Sequence, residues 1–356
     1  MTAGGDCPGM NAVIRAVAKK AILEHGFEVI GIEDGYEGLV SNRTRILSFE
    51  AVSGIVNVGG TILGTSNTVD PYAYAVKHGE RIEHLDKSEV AMENFHKLGI
   101  ECLVCVGGDG SLTVANKLSA QGARIVGVPK TIDNDVMNTD VCVGFDTAVS
   151  IATEGIDRVH TSAQSHHRAM IVEVMGRNAG WLALHSGLAG GGDIVIIPEI
   201  PYDLNAVVAR VKERRHKGKR FTIIVISEGA KPIGGNVVVK RIVRTSAEPV
   251  RLGGISFALA DQIEEITGLE TRALVMGHLL RGGPPSAFDR VLATRLGTKA
   301  MDMVMAGQYG NMVAVKGGDL VEVPFDAVAD AQKKVPLDSP IIKAARSVGT
   351  CLGDAA

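Results

Sequence analysis

The sequence predicts an α/β protein of two domains, each built on a mainly parallel sheet. Apolar runs of strand length alternate with segments of helical periodicity for most of the 356 residues. Hydrophobic residues make up 46% of the chain and charged residues 22%, which is an ordinary globular composition. The length suits two domains of roughly 150 residues each.

The predicted strands are short aliphatic runs that end near glycine. They are Phe27 to Ile32, Cys102 to Val106, Arg124 to Val128, Arg168 to Val174, Ile194 to Ile197 and Phe221 to Ile226. Helical segments such as Asn11 to Leu23 and Ile255 to Ile266 lie between them, which is the pattern of a parallel sheet. We expect a long helical segment between about Phe145 and Met170 to connect the two halves, and a second crossing near Gly277 to Gly283.

Composition and charge exclude several classes of protein. The net charge is only -3, so the chain has no overall electrostatic footprint for nucleic acid or an anionic membrane. No apolar run approaches the roughly 20 residues needed to span a bilayer. The five cysteines form no disulfide framework in a chain of this length, and no secretory leader precedes the first glycine-rich turn. We therefore expect a reduced, cytoplasmic protein without a nucleic-acid or membrane partner.

The chain opens on a glycine-rich turn, Gly4 to Asn11, that leads into a predicted helix. Such a turn normally follows a strand, and the sequence has no room for one. We interpret this as a truncated chain or a misassigned start. We expect the neighbouring strand to expose unpaired backbone groups as a result.

A second glycine-rich turn, Gly107 to Ser111, follows the apolar run Cys102 to Val106. Successive glycines let backbone N–H groups point at phosphate oxygens, and the N-terminus of the following helix adds a favourable dipole. Asp109 can hold Mg²⁺ directly or through water. A tight strand-to-helix turn with Ser111 as its N-cap would use the same residues, so this motif alone leaves both interpretations open.

The segment Thr131 to Asp135 follows the next apolar run. The carboxylates of Asp133 and Asp135 can perform different tasks in one pocket, one accepting a hydroxyl proton and the other orienting partners or a metal. An Asx-rich turn would need the same residue types for structural reasons. Because ligands bind at the carboxyl ends of strands in open α/β sheets, the two loops together predict phosphoryl transfer.

Several cationic side chains downstream of these two loops could bind a phosphate monoester. Arginines lie at the ends of apolar runs at positions Arg168, Arg177, Arg272 and Arg281, where each could clamp a phosphate bidentately or remain a solvated surface charge. His278 is a candidate neutral hydrogen-bonding ligand for a phosphorylated sugar. A role as a metal ligand is not favoured, because no second histidine at zinc spacing accompanies it.

The chain resembles the phosphofructokinase family over essentially its whole length, through the ordered motifs GGDCPGMNAVIR, GGDGS, PKTIDND, MGRNAGW, SEG and GHLLRGG. This family transfers a phosphoryl group to the 1-hydroxyl of fructose 6-phosphate. The resemblance implies two doubly wound, mainly parallel α/β domains with the active site in the cleft between them. It implies a donor domain of residues 1–144 plus about 280–330, and a sugar-phosphate domain of residues 145–279 plus about 331–356.

The resemblance also implies roles for individual residues. Asp133 matches the general base on the sugar hydroxyl, Thr131 the group that positions phosphoryl oxygens, and Asp109 the Mg²⁺ ligand, with Asp135 in support. Arg177 resembles the side chain that stabilises charge on the transferring group. The ATP site matches Gly5, Tyr36, Asn67, Gly108, Asp109, Gly110 and Ser111. The fructose 6-phosphate site matches Thr131, Asp133, Met175, Gly176, Arg177, Glu228, His278 and Arg281, together with Arg168 and Arg272 from a neighbouring subunit, which implies a homodimer or homotetramer.

Two positions bear on the phosphoryl donor. In this family a glycine at Gly110 leaves room for the α-phosphate of ATP, whereas an aspartate there accompanies pyrophosphate use. Lys130 stands where typical bacterial ATP enzymes carry glycine and pyrophosphate enzymes carry lysine. The combination resembles an atypical subgroup with members of both kinds. The sequence favours ATP, and pyrophosphate is the alternative.

Asn67 is a departure from the family pattern, which usually places an arginine there to bridge the donor and acceptor phosphates. Lys130 could supply the missing charge. The missing cation and the missing first strand leave a second class of function open, a non-catalytic subunit that binds sugar phosphate. Retention of Asp133 favours an enzyme, because binding alone needs no base.

Overall fold

A computed structural model describes residues 1–79, 81–246 and 249–354 of the chain. The helices are α1 (Met10–His25), α2 (Tyr36–Ser41), α3 (Ser88–Lys97), α4 (Asp109–Ala120), α5 (Phe145–His166), α6 (Trp181–Ala189), α7 (Leu204–His216), α8 (Ile255–Thr267), α9 (Ala287–Met305) and α10 (Pro340–Ser347). The strands are β1 (Ile30–Ile32), β2 (Thr44–Ile46), β3 (Tyr74–His78), β4 (Arg81–Leu85), β5 (Leu103–Gly107), β6 (Ile125–Pro129), β7 (Ala169–Val174), β8 (Ile194–Ile196), β9 (Thr222–Ser227), β10 (Val239–Ile242), β11 (Val250–Leu252), β12 (Thr271–Val275), β13 (Asn311–Lys316) and β14 (Asp319–Pro324). Helices and mainly parallel strands alternate along the chain, so the predicted α/β class is confirmed.

The chain divides into two compact units. The first comprises Met1–Thr147, Val243–Pro249 and Arg281–Lys333, and the second comprises Ala148–Ile242, Val250–Leu280 and Lys334–Ala356. Helix α5 begins in the first unit and continues in the second. None of the described helices is both long and apolar enough to cross a membrane.

The first unit is built on a sheet with the strand order β14-β13-β6-β5. Strand β6 runs parallel to both β5 and β13, and only β14 is antiparallel to its neighbour within this sheet. All five residues of β6 are buried, as expected for a parallel strand covered on both faces. Ile125 packs in one core with Leu112 of α4, whereas Val126 packs in a second core with Leu292 of α9. Successive side chains of β6 thus fill opposite faces of the sheet.

The first residues of the chain pair with β5 at its free edge. Thr2 forms a parallel bridge with Val106, the Ala3 N–H donates to the Val106 oxygen at 2.9 Å, and the Val106 N–H donates to the Met1 oxygen at 3.0 Å. The expectation that this edge lacks a partner is therefore wrong at these positions, because three residues suffice to supply a partner there.

The predicted strand from Phe27 to Ile32 differs from the structure. The strand is confined to β1, which pairs antiparallel with β2 in a separate sheet of two strands. Phe27 lies before the strand and is 39% exposed. An apolar run therefore predicted extended structure here but did not indicate the sheet to which it belongs.

The second unit is built on an entirely parallel sheet with the strand order β12-β7-β9-β8. All six residues of β9 are buried. Ile224 and Ile226 of β9 share a core with Val211 of α7 and Ile263 of α8. This packing holds the carboxyl ends of β7, β9 and β12 next to one another.

Candidate active site

Two loops leave the sheet of the first unit side by side. Gly107 at the end of β5 is in register with Pro129 at the end of β6, and the Lys130 N–H donates to the Gly107 oxygen at 3.0 Å. The segments that follow, 108–111 and 131–135, therefore begin at neighbouring points on the carboxyl edge of a parallel sheet. This is the position at which such sheets bind ligands.

The glycine turn at the start of the chain meets both of these loops. Gly4 has a left-handed φ of 80°, and a Cβ there would lie 2.9 Å from Oγ of Ser111 and 3.5 Å from Nζ of Lys130. The Gly4 N–H donates to the Ser66 oxygen at 3.0 Å, which fixes the turn from its other side. Glycine is required at this position because of both its backbone conformation and its close neighbours.

The N-terminus of α4 is open toward solvent. Gly108 is the N-cap, Asp109 is the first helical residue, and no side chain caps the helix. Ser111 lies within the first turn, so the interpretation of Ser111 as an N-cap is wrong. A Cβ at Gly110 would meet no atom within 4 Å. The first N–H groups of α4 thus remain available to an anion, as the phosphate interpretation requires.

The Tyr36 side chain contacts the first turn of α4. Its hydroxyl donates to the Ser111 oxygen at 2.7 Å, and its side chain is 3% exposed. Burial raises the pKa of this hydroxyl well above its ordinary value. In this structure Tyr36 therefore braces the loop through a backbone carbonyl.

Two cationic side chains lie on the first glycine turn. The Lys130 ammonium group donates to the Gly5 oxygen at 2.5 Å, and Lys130 is 2% exposed. The Arg281 guanidinium group donates to the Asp6 oxygen at 3.2 Å and occupies the space that a Cβ on Gly5 would need. Burial lowers the pKa of Lys130. The structure thus places Arg281, predicted as a sugar-phosphate ligand, beside Gly5, which was predicted as a donor ligand.

Asn67 lies on a segment that is bonded to the same turn. Thr65 Oγ1 donates to the Gly4 oxygen at 2.7 Å, and the Asn67 oxygen accepts a hydrogen bond from Ser246 Oγ at 3.4 Å. The Asn67 side chain is exposed. The position at which the family usually carries arginine is thus adjacent to the glycine turn.

The loop from Thr131 to Asp135 is held in a fixed shape by its own polar groups. The Asp133 N–H donates to Oγ1 of Thr131 at 3.1 Å, and Asn134 adopts a left-handed φ of 52°. The Asn134 side chain accepts from the Cys142 N–H at 3.0 Å. Asn134 therefore has the structural role that the Asx-turn alternative assigned to the whole motif, and the flanking aspartates are left for other contacts.

Asp109, Asp133 and Asp135 form a group of buried or half-buried carboxylates. Asp133 is 7% exposed and Asp135 is 5% exposed. Gln332 Nε2 donates to Asp109 Oδ2 at 2.8 Å and to Asp135 Oδ2 at 3.4 Å. Burial, followed by the negative charges of Asp133 and Asp109, raises the pKa of Asp135 to about 8. Asp109 and Asp135 thus lie within reach of one shared ligand.

The carboxylates fit a magnesium ion that is completed by substrate. In the described ranges no three His, Cys, Asp or Glu side chains cluster closely enough to hold a metal by themselves. Mg²⁺ commonly uses one or two carboxylates, with waters and substrate phosphates as its other ligands. Oδ1 of Asp135 is buried and accepts no hydrogen bond from any described residue. Such an oxygen is suited to a cation.

In the second unit, three predicted substrate loops follow neighbouring strands. Met175 follows β7, Glu228 follows β9, and His278 lies just beyond β12. The Glu228 N–H donates to the Val174 oxygen at 2.9 Å, and the Met276 N–H donates to the Glu173 oxygen at 3.0 Å. The order of the strands therefore gathers these loops at one edge of the sheet.

The backbone at Arg177 is constrained by two glycines. Arg177 has a left-handed φ of 47°, and Gly176 has a φ of 135°. A Cβ on Gly229 would collide with the Arg177 carbonyl oxygen, and one on Gly176 would lie 2.7 Å from the Ala179 oxygen. A non-glycine residue held in a left-handed conformation is unusual and often marks a functional position.

Glu173 is a buried residue of this edge that the sequence analysis missed. It is 1% exposed, and its carboxylate accepts from the Gly254 N–H at 2.8 Å, the Ser256 N–H at 3.0 Å and the Ser256 hydroxyl at 2.6 Å. Glu173 therefore anchors the N-terminus of α8 to the sheet beside the Met175 loop. The sequence could have indicated Glu173 only through one feature, a charged residue within an aliphatic run that was predicted to be buried.

Arg168 and Arg272 lie at the opposite end of the second sheet. Arg168 precedes β7 and Arg272 is near the start of β12, and both form ion pairs with Glu270, at 3.2 Å and 2.8 Å. Six residues of β7 separate Arg168 from Met175, which corresponds to about 20 Å along a strand. Within one chain, the structure does not bring these two arginines to the Met175 loop.

Comparisons with known proteins agree with this arrangement of motifs. The phosphofructokinase family model matches residues 1–304. The chain is 50% identical to ATP-dependent 6-phosphofructokinase 2 of Clostridium perfringens, covering 99% of this chain and 97% of the relative. It is 48% identical to pyrophosphate--fructose 6-phosphate 1-phosphotransferase of Amycolatopsis methanolica, covering 94% of this chain and 95% of that relative.

A solved structure supports the same relationship. The Pichia pastoris phosphofructokinase in the T-state superimposes with a TM-score of 0.79 and 33% identity over 92% of this chain. The present chain spans 34% of that longer chain. Glycine turns, carboxylate loop and sheet order thus coincide with extensive sequence identity, and the chain belongs to the phosphofructokinase family.

Proposed function

We propose that the chain is an ATP-dependent 6-phosphofructokinase, which transfers the γ-phosphoryl group of ATP to the 1-hydroxyl of fructose 6-phosphate and gives fructose 1,6-bisphosphate, a step of glycolysis. The observation that carries the proposal is the group of carboxylates beside the uncapped N-terminus of α4, of which Asp133 and Asp135 are buried and Asp109 is half-buried. The proposal is also supported by the 50% identity of the chain to an enzyme named for this activity, which the chain covers over 97% of that enzyme's length.

The reaction needs a base, a phosphate cradle and charge neutralisation. The 1-hydroxyl oxygen attacks the γ-phosphorus, its proton passes to Asp133, and the bond from phosphorus to the bridging oxygen breaks to release ADP. Backbone N–H groups at the start of α4 hold the donor phosphates, and Thr131 and Arg177 position and stabilise the transferring group. When bound, Mg²⁺ would neutralise phosphate charge, with Asp109 as its ligand and Asp135 in support.

The free space at Gly110 favours ATP as donor. A Cβ at Gly110, in the first turn of α4, would meet no atom within 4 Å, so this position borders open space. Additional phosphate and nucleoside groups of ATP need such space, and pyrophosphate does not.

A pyrophosphate-dependent reaction is the second candidate, because of Lys130. Its ammonium group lies on the glycine turn at Gly5, where a compact cation would suit a small, highly charged donor. The Amycolatopsis methanolica relative is named for pyrophosphate and is 48% identical.

Initial rates with fructose 6-phosphate and each donor, with Mg²⁺ present and absent, test the proposal. We expect turnover with ATP that requires Mg²⁺. Turnover with pyrophosphate alone would replace the first candidate with the second. Asp133→Ala should lower turnover by about 10²–10⁴-fold while keeping most affinity for ligands, because the base is lost. If neither donor supports turnover but fructose 6-phosphate binds, the chain is a non-catalytic sugar-phosphate-binding subunit.

We also propose a homodimer or homotetramer that acts in the cytoplasm. Arg168 and Arg272 lie at the end of the sheet opposite the Met175 loop of their own chain, so a second copy would have to bring them to a substrate site. Mixing inactive Asp133→Ala and Arg272→Ala proteins under conditions of subunit exchange should restore part of the activity. A monomeric mass with full activity would refute the shared site.

A further inference from the structure

Gln332 connects two carboxylates that come from different loops. Its Nε2 group donates to Oδ2 of Asp109 at 2.8 Å and to Oδ2 of Asp135 at 3.4 Å. Both contacts lie within the first unit. The residue follows Asp109 by 223 positions, and it belongs to none of the motifs that indicate the family.

The backbone fixes Gln332 in this place. Gln332 forms an antiparallel bridge with Val136, and the Lys333 N–H donates to the Asp135 oxygen at 2.7 Å. The Lys333 ammonium group donates to the Thr139 oxygen at 2.7 Å. The segment 332–333 is therefore paired with the end of the carboxylate loop, and the Gln332 side chain projects from a position that the main chain determines.

The amide at this position donates hydrogen bonds without adding charge. A lysine or arginine between the two aspartates would add positive charge and compete with a cation, whereas an amide adds no charge. Each of the two carboxyl groups uses its Oδ2 atom to accept from Gln332. In Asp135 the other oxygen, Oδ1, accepts no hydrogen bond from any described residue. Hydrogen-bonded partners of this kind commonly orient metal ligands and tune affinity.

We infer that Gln332 is a positioning residue that orients Asp109 and Asp135 toward the divalent cation of the phosphoryl donor. The inference rests on the proposed function, because it concerns the cation of that reaction. Gln332 touches the two carboxylates, and its effect on transfer would pass through them.

The test measures Mn²⁺ binding to the full chain by electron paramagnetic resonance in the presence of ADP. The signal of Mn²⁺–ADP in buffer without protein is subtracted. Gln332→Met keeps the approximate shape but removes the donor, and we expect its Mn²⁺ dissociation constant to rise about 10-fold or more. Gln332→Lys should weaken binding further, because its ammonium group competes for the same carboxylates. In turnover assays, half-saturation by Mg²⁺ should rise while half-saturation by fructose 6-phosphate stays within about twofold.

Asn116→Ala is the matched control, because the Asn116 amide donates to the Asp326 carboxylate at 2.9 Å on the exposed side of the unit. It should leave Mn²⁺ binding unchanged. Unchanged Mn²⁺ affinity in both Gln332 variants, or an equal loss in Asn116→Ala, would overturn the inference. Gln332→Ala replaces Gln332→Met if the latter does not fold. The binding readout needs no turnover, so a wild-type protein that binds Mn²⁺ but phosphorylates nothing would refute the proposed function alone.

Discussion

The carboxyl group of Asp135 should make the stability of the protein depend on pH. Its pKa is raised to about 8 by burial and by the charges of Asp133 and Asp109, whereas an unperturbed aspartate has a pKa of about 3.9. The folded state therefore keeps a proton that the unfolded state releases. This contribution is fully present below about pH 4 and is lost as the pH rises toward 8.

The size of the effect follows from the change in the free energy of unfolding with pH when the folded state binds one more proton than the unfolded state. Each pH unit between the two pKa values costs about 1.4 kcal/mol, so the free energy of unfolding should fall by up to about 4 kcal/mol between pH 5 and pH 8. This is an upper limit, because neighbouring carboxylates share protons with Asp135. Asp135→Asn has no proton to lose, and its stability should fall less over the same range.

Urea unfolding of both proteins at pH 5, 6.5 and 8, without divalent cations, measures this difference. Asp319→Asn, which alters the exposed carboxylate of the first residue of β14, is the control and should follow the wild type. If wild type and Asp135→Asn lose stability in parallel between pH 5 and pH 8, Asp135 does not retain a proton in the folded state and the reasoning fails.

Three further substitutions test separate parts of the structure. Gly110→Asp should fold with an unchanged melting temperature, because its Cβ would meet no atom within 4 Å, but its kcat/KM for ATP should fall more than that for pyrophosphate. Asn67→Arg should change turnover by less than about tenfold if Lys130 already supplies the charge; a gain of 10²-fold, the size of a single-donor effect elsewhere, would show that no substitute exists. Glu173→Gln should lower the free energy of unfolding by about 2–3 kcal/mol in denaturant titrations, since one strong acceptor of a buried helix N-terminus is lost; equal midpoints would contradict this.

The strands that carry the candidate site could be predicted from the sequence, because buried parallel strands are nearly continuous apolar runs. Cys102 to Val106 became β5 (Leu103–Gly107), and Phe221 to Ile226 became β9 (Thr222–Ser227), each displaced by one residue. The glycine turns indicated where the carboxyl ends of these strands lie. At a position such as Gly4, neighbouring side chains approach the backbone so closely that only glycine fits.

Long-range contacts could not be predicted in the same way. Gln332 reaches Asp109 through a backbone bridge that no local pattern marks. Strand β13 joins β6 although more than 180 residues separate them along the chain. Tyr36 shows the related limit for side chains, because no local pattern indicated that its hydroxyl would donate to the Ser111 oxygen. Pairing partners depend on the whole fold, and local residue type does not determine them.

The collision between a Cβ on Gly229 and the carbonyl of Arg177 has a consequence for protein engineering. In a saturation library, replacements of Gly229 should be tolerated as poorly as replacements of a catalytic aspartate, although glycine has no functional group. A map of mutational tolerance would then mark Gly229 as important only because it has no side chain. Variants designed to test the proposed sugar-phosphate loops should therefore keep residues 177 and 229 together and change the side chains of Met175 and His278.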